Sequence, residues 1–236
     1  MKMSKVESTT GFSALMLKVI RRCVQAFEYW DTKGYEAEKY WHDRHSKYQF
    51  NLGGVGNAAL SQEENEQMYL EAKEVFLSVC HEMKIDFTKI CILDIGCGTG
   101  FYTKIFHENG CKNYLGIDIT NVLFGKLTQD FQGFKFQKLD ISEQSLNDSF
   151  DLIIMIDVTQ HITNPDKFSF AMQSIKSSLA DNGIFIVTSW LNENARQCFY
   201  EVSRSLKDYQ KEFPDYSFSK PIPFRDKFIF TIRNKK

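Results

Sequence analysis

The segment Asp94-Ile-Gly-Cys-Gly-Thr-Gly100 closes an apolar run with a carboxylate and then three glycines spaced two apart. Gly96, Gly98 and Gly100 permit unusual backbone angles and clear side chains from the main chain, so a ligand can lie directly against the turn. The helical pattern behind them offers unpaired N–H groups. The spacing is not the G-x-G-x-x-G of dinucleotide sites, because the third glycine of that pattern would stand where the chain has Phe101. An acid two residues before the first glycine would repel a pyrophosphate and attract an ammonium or sulfonium. Three later extended patterns also end in an acid: Asp118 in GIDIT, Asp140 in KLDIS and Asp157 in MIDVT, with His161 following in DVTQHIT. Singly, each acid is equally well read as a helix cap or turn residue. His161 reads either as a base for an acceptor's proton or as a histidine that packs or caps at a helix start.

The elements that must position these residues follow from periodicity. Strands are expected at Ile90–Ile95, Tyr114–Ile117, Lys135–Lys138, Leu152–Ile156 and Ile184–Ser189, and helices at Phe101–Asn109, Asn121–Phe131 and Pro165–Leu179. Gly110 supplies the left-handed residue after the first of these helices, and Asn164-Pro165 an N-cap followed by proline. This alternation predicts an α/β fold with a mostly parallel sheet covered on both faces, its ligand crevice outside the carboxyl ends of the strands. Upstream, Ser61-Gln-Glu-Glu64 is a capping box that starts a long helix, and Gly11–Trp30 has the pattern of an amphipathic helix. The aromatic stretch Lys39–Asn57, with Gly53, Gly54 and Gly56 at its end, reads as a loop. Downstream, a helix over Glu193–Glu212 and a sheet-edge hairpin, Phe218–Phe224 with Phe228–Arg233, complete the chain.

On these residues the chain resembles the class I S-adenosylmethionine-dependent methyltransferases, over roughly Ile90 to Ser189. The resemblance implies a Rossmann-like doubly wound sheet with a C-terminal antiparallel hairpin, an N-terminal helical cap over residues 1–60 and a methyltransferase domain over 61–236. It implies S-adenosylmethionine (SAM) as cofactor and S-adenosylhomocysteine as product. Asp94, Gly96, Cys97, Gly98 and Gly100 would then meet the cofactor, and Asp118 would accept from both ribose hydroxyls. Asp140 would meet the adenine amino group with Ile141 beside it, Ile119 would line the adenine pocket, and Asp157 would lie near the methionine end. His161 is the candidate catalytic base; His45, Tyr40 and Tyr48 are weaker ones. Tyr40, Trp41, Arg44 and His45 are expected to close over the site, either as a lid that the glycines let move or as a rigidly docked segment.

Composition bounds the acceptor. The 236 residues carry a formal net charge of −1 and 43% hydrophobic residues, so no global basic field argues for a nucleic-acid substrate. The slot after the fourth strand reads Asp157-Val-Thr-Gln, not the [DN]-P-P-[YF] that holds a planar nitrogen, which favours a small molecule methylated on oxygen or nitrogen. Six cysteines without a C-x-x-C pair point to reduced thiols in the cytoplasm, and Lys18, Arg21 and Arg22 break the N-terminal apolar stretch against secretion or membrane insertion. Asp157 and His161 lack a third partner for a metal. Two other functions remain open: a SAM-binding regulatory or partner subunit without catalysis, and an NAD-dependent oxidoreductase, which Phe101 and Asp94 disfavour. Oligomeric state is not assigned.

Overall fold

The computed structural model describes residues 26–32, 34–56, 60–193 and 196–235. Most of the helix expected over Gly11–Trp30 lies outside these; residues 26–28 are helical. The labelled elements are α1 (Ala37–Tyr48), α2 (Gln62–Glu82), β1 (Cys91–Ile95), α3 (Phe101–Glu108), β2 (Asn113–Asp118), α4 (Phe124–Asp130), β3 (Lys135–Lys138), β4 (Phe150–Met155), α5 (Pro165–Ser178), β5 (Leu179–Ser189), α6 (Leu206–Glu212), β6 (Tyr216–Phe218), β7 (Ile222–Phe224) and β8 (Lys227–Asn234).

One sheet runs in the order β6-β8-β5-β4-β1-β2-β3, with β7 also on β8. The five strands from β5 to β3 are parallel, and β8 joins β5 antiparallel. The chain leaves β1 first towards β3 and then returns to β4 on its other side, so a crevice opens between the carboxyl ends of β1 and β4. This is the expected doubly wound architecture with its edge hairpin.

Strand alternation divides the core. Leu93, Ile153, Met155, Phe185 and Val187 face α5 and α6, while Ile92, Leu152, Ile154 and Ile186 face α2 and α3. Local signals set the helix starts. The Ser61 side chain accepts from the Glu64 N–H while Glu64 returns to the Ser61 N–H, and Asn164 accepts from the N–H groups of Asp166 and Lys167. Gly110 takes φ +77°, as a C′ glycine should.

Two elements differ from expectation. Lys39–Asn57 is not a loop: α1 occupies Ala37–Tyr48 and a 3₁₀ turn spans Leu52–Gly54. Its inward face carries Trp41, Arg44, His45 and Tyr48, at i, i+3, i+4 and i+7. Two of these are polar in type, so no apolar stripe announces the helix. The helix expected over Glu193–Glu212 is broken into a short antiparallel pair, Arg196–Cys198 with Glu201–Val202, followed by α6. Buried Arg204 donates to the carbonyls of Thr159 and Ile162, which holds this stretch against the loop after β4. Ser205 then starts a new helix by donating its N–H and hydroxyl to Asp208.

Candidate active site

A cavity of about 320 Å³ lies at the carboxyl ends of β3, β2, β1 and β4. Its far wall is Asp140 and Ile141 after β3, then Asp118 and Ile119 after β2. The turn Gly96-Cys97-Gly98 after β1 forms its floor, and Asp157 and His161 after β4 close the other end. Gly96 has φ +74°, and a Cβ there would stand 2.3 Å from Val158 Cγ2, so only glycine fits.

Asp118 is 7% exposed. One carboxylate oxygen accepts from the Gly98 N–H (3.1 Å) and the other from the Thr120 N–H (3.0 Å), which welds the β2 end to the glycine turn. Burial raises its pKa; His45 facing it pulls the other way. His45 comes from α1, lines the cavity and bonds the Thr120 hydroxyl at 3.0 Å. Burial lowers the His45 pKa against the pull of Asp118, leaving a neutral imidazole beside the carboxylate. Asp140 accepts from the N–H and hydroxyl of Ser142, a turn that keeps Ile141 in the wall.

Several residues expected at the cofactor do not line this cavity. Asp94 does not line the cavity. Period-two alternation puts it on the face of Ile92, under α3, where it accepts from the Tyr114 hydroxyl (2.8 Å) and burial pushes its pKa up to about 7. Gly100 is also behind the turn: at φ +80°, a Cβ would meet Leu127 Cδ2 at 2.4 Å, so this glycine seats α4. Tyr40 is packed among Tyr29, Tyr35 and Tyr200 rings instead of facing the cavity. Arg44 donates to Tyr40 Oη and to the carbonyls of Gly53, Gly54 and Gly56. The glycines expected to free a lid are thus tied to α1 by one guanidinium, with Val55 between them facing the cavity. Trp41 does line the cavity; Tyr48 does not.

His161 reaches the rim as expected. Its Nδ1 is 3.1 Å from the Tyr200 carbonyl, which only accepts, so Nδ1 carries the hydrogen. The Gln160 amide nitrogen lies 3.4 Å from Nε2, Trp41 packs edge-on at 4.8 Å and Tyr200 stacks on the ring. Burial pushes the His161 pKa down to about 3, with Lys227 and Arg44 adding to the shift and the Tyr200 carbonyl opposing it. At neutral pH this is an uncharged ring engaged at both nitrogens and a poor store for a proton.

Asp157 sits at φ +60° in an ion pair with Arg225 and 3.3 Å from Lys227 Nζ. Neither cation was legible as a site residue, because the turn that carries them is over sixty residues away in the chain. Trp30, Gly34 and Tyr35 also line the cavity. Among the described residues no cluster of three or more His, Cys, Asp or Glu is placed to hold a metal, and no helix is long and apolar enough to cross a membrane.

A family profile described as a methyltransferase domain matches residues 65–222. The chain belongs to that methyltransferase-domain family. It is 31% identical over 108 residues to a malonyl-[acyl-carrier protein] O-methyltransferase of Calditerrivibrio nitroreducens, and 26% identical over 132 residues to one of Acetivibrio thermocellus. These matches cover 45% and 54% of this chain but 40% and 46% of the relatives, so the chain spans less than half the length of the curated relatives it matches. Among solved structures, magnesium protoporphyrin IX methyltransferase from Synechocystis PCC 6803 with bound SAM superposes at TM-score 0.64 and 15% identity, over 87% of this chain and all of that one. An N-methyltransferase from Bradyrhizobium japonicum WM9 with S-adenosylhomocysteine does so at TM-score 0.57 and 18% identity, over 73% and 88%. The methyltransferase-domain profile begins inside α2, after α1 and the Arg44 clasp.

Proposed function

We propose that the protein transfers a methyl group from SAM to a small-molecule acceptor, on oxygen or nitrogen, and releases S-adenosylhomocysteine. The observation that carries this reading is the succession along neighbouring strand ends of Asp140, Asp118, the glycine turn and Asp157 around one cavity. The residues fit the cofactor: Ile119 and Ile141 offer an apolar slot for a purine, Asp118 a buried acceptor for ribose hydroxyls, and Gly96 an open floor. Bound SAM supplies a methyl group on a sulfonium, ready for displacement by a nucleophile in line with it.

The chain's own work is then positioning and exclusion of water. Trp41, Val55 and His45 cover the cavity from the N-terminal side, held by Arg44. Trp30, Tyr35 and Trp41 give the acceptor an aromatic wall beside His161. A neutral His161 orients an acceptor by packing and by the weakly engaged Nε2, and does not take up its proton in a stable form. An acceptor that is nucleophilic in its prevailing ionisation state suits such a wall. The curated relatives are malonyl-[acyl-carrier protein] O-methyltransferases, and a carboxylate oxygen is one such nucleophile.

The described residues up to 60 are read as the cap and those from 61 on as the methyltransferase domain, and the free thiols at Cys80, Cys91, Cys97, Cys111 and Cys198 suit a reducing cytoplasm. Calorimetric titration tests the assignment: SAM and S-adenosylhomocysteine should bind and NAD should not. Saturable NAD binding with no heat from either adenosyl ligand would overturn it.

A further inference from the structure

The N-terminal side of the cavity is walled by flat rings and small residues. Trp30 and Tyr35 stand directly opposite each other in the short antiparallel pair of Trp30–Asp31 with Gly34–Tyr35, so both side chains leave the same face, and both line the cavity. Trp41 lines it from α1 and packs edge-on to His161 at 4.8 Å. Tyr200 links the two groups: it stacks on His161 and its ring centre lies 6.5 Å from that of Tyr35. Gly34 and Ala37 also line the cavity, and a Cβ built on Gly34 would have Trp30 Cζ2 as its nearest neighbour, at 4.0 Å. The missing side chain leaves space beside the indole.

This wall holds no counter-ion for an anionic acceptor. Among the described residues the cavity is lined by the carboxylates of Asp118, Asp140 and Asp157 and by one ammonium, that of Lys167, which pairs with Glu143 at 2.6 Å. Arg225 and Lys227 are not in the lining and pair with Asp157, and Arg44 donates to backbone carbonyls and Tyr40. A carboxylate brought here would lose its hydration without gaining a partner. Aromatic faces attract cations instead, and indole does so most strongly.

A base is missing from the same wall. His161 donates its Nδ1 hydrogen to the Tyr200 carbonyl, has the Gln160 amide 3.4 Å from Nε2, and is kept neutral by burial. His45 bonds the Thr120 hydroxyl and faces Asp118. An alkylamine or a phenol, with an ordinary pKa of about 10, holds its proton at neutral pH and needs a base before it can attack. A ring nitrogen of the imidazole or pyridine kind, with a pKa of about 6.5 or below, already has its lone pair available.

We infer that the acceptor is a flat nitrogen heteroaromatic, methylated on a ring nitrogen while seated against Trp30, Tyr35 and Trp41. The inference rests on the SAM reading above and chooses, within it, nitrogen over oxygen. The ring nitrogen forms the N–CH3 bond with its lone pair as the C–S bond breaks and leaves its electrons on sulfur, so the ring gains the positive charge that the sulfonium gives up. No proton moves in this step. Positive charge then develops on the acceptor against indole and phenol faces, an attraction stronger in the transition state than in the ground state.

Calorimetric titration of the full chain saturated with S-adenosylhomocysteine tests it with two flat bicyclic probes of opposite charge, N-methylquinolinium and 2-naphthoate. Wild type should bind the cation about tenfold more tightly or better. Trp41→Leu should lower that preference several-fold, and Trp41→Phe should recover part of it. Trp30 is 42% exposed, so Trp30→Leu should melt like wild type; it too should lower the preference, and it keeps the test sound if Trp41→Leu does not fold. Equal affinity for the two probes, a preference for 2-naphthoate, or binding of neither overturns the acceptor class. Faster methylation of phenol or monomethyl malonate than of quinoline, with SAM supplied, overturns it as well. A preference unchanged in both tryptophan variants overturns its assignment to this wall. Failure of S-adenosylhomocysteine itself to bind is a separate result, and overturns the SAM reading.

Discussion

Asp94→Asn should abolish one component of the protein's pH-dependent stability. The Asp94 carboxyl is held near a pKa of about 7 by burial, against an ordinary 3.8, with the Tyr114 hydroxyl opposing the shift. Because the folded-state value is raised, the folded chain keeps a proton that the unfolded chain loses above pH 4. The contribution to stability is complete below pH 4, falls by about 1.4 kcal/mol per pH unit as pH rises, and levels off beyond pH 7. Between pH 5 and pH 8 the wild type should therefore lose about 2–3 kcal/mol relative to the variant. A carboxamide oxygen can still accept from Tyr114, so the comparison removes the titration and keeps the hydrogen bond. Urea unfolding of both proteins at pH 5, 6, 7 and 8 measures the difference, and other titrating groups cancel between them. A difference that stays constant across this range would show that Asp94 ionises normally and that its burial under α3 is wrong.

The site supports four more predictions. Gly100→Ala should destabilise the fold by about 1–3 kcal/mol, since its methyl group would press on Leu127; equilibrium unfolding checks this, and an unchanged midpoint would contradict it. Arg44→Met leaves the carbonyls of Gly53, Gly54 and Gly56 without this donor and should expose residues 51–56 to limited proteolysis, whereas wild type resists; equal cleavage would refute the clasp. Nitrogen NMR should find His161 neutral, with hydrogen on Nδ1, from pH 5 to pH 8, and a midpoint inside that range would restore it as a proton carrier. Asp118→Ala should weaken S-adenosylhomocysteine about tenfold to hundredfold; retained affinity would place the ribose elsewhere.

What could be read from the chain was whatever depends on neighbours in sequence. The glycine turn, the acids at the ends of β2, β3 and β4, and the caps at Ser61 and Asn164 are local patterns, and the structure places each where its spacing implied. Asp94 does not line the cavity because its direction depends on which face of β1 it shares and on Tyr114 across the strand pair, a register fact and not a motif. The helix α1 was missed because its inward face is built from Arg44 and His45 as well as aromatics, and polar groups paired by tertiary contacts leave no hydrophobic stripe. For the same reason no local pattern shows that Arg44 bonds Tyr40 Oη and three backbone carbonyls in its own segment. Arg225 and Lys227 meet Asp157 only through the antiparallel return of β8 beside β5, which no local pattern encodes.

The central claim is that the cavity seats an adenosyl cofactor across the strand ends. Its most direct test is a crystal structure with S-adenosylhomocysteine. Adenine should lie between Ile119 and Ile141 within reach of Asp140, both ribose hydroxyls on Asp118, and the sulfur over Gly96 towards His161. A ligand bound outside this cavity, or one whose ribose makes no contact with Asp118, would contradict the account.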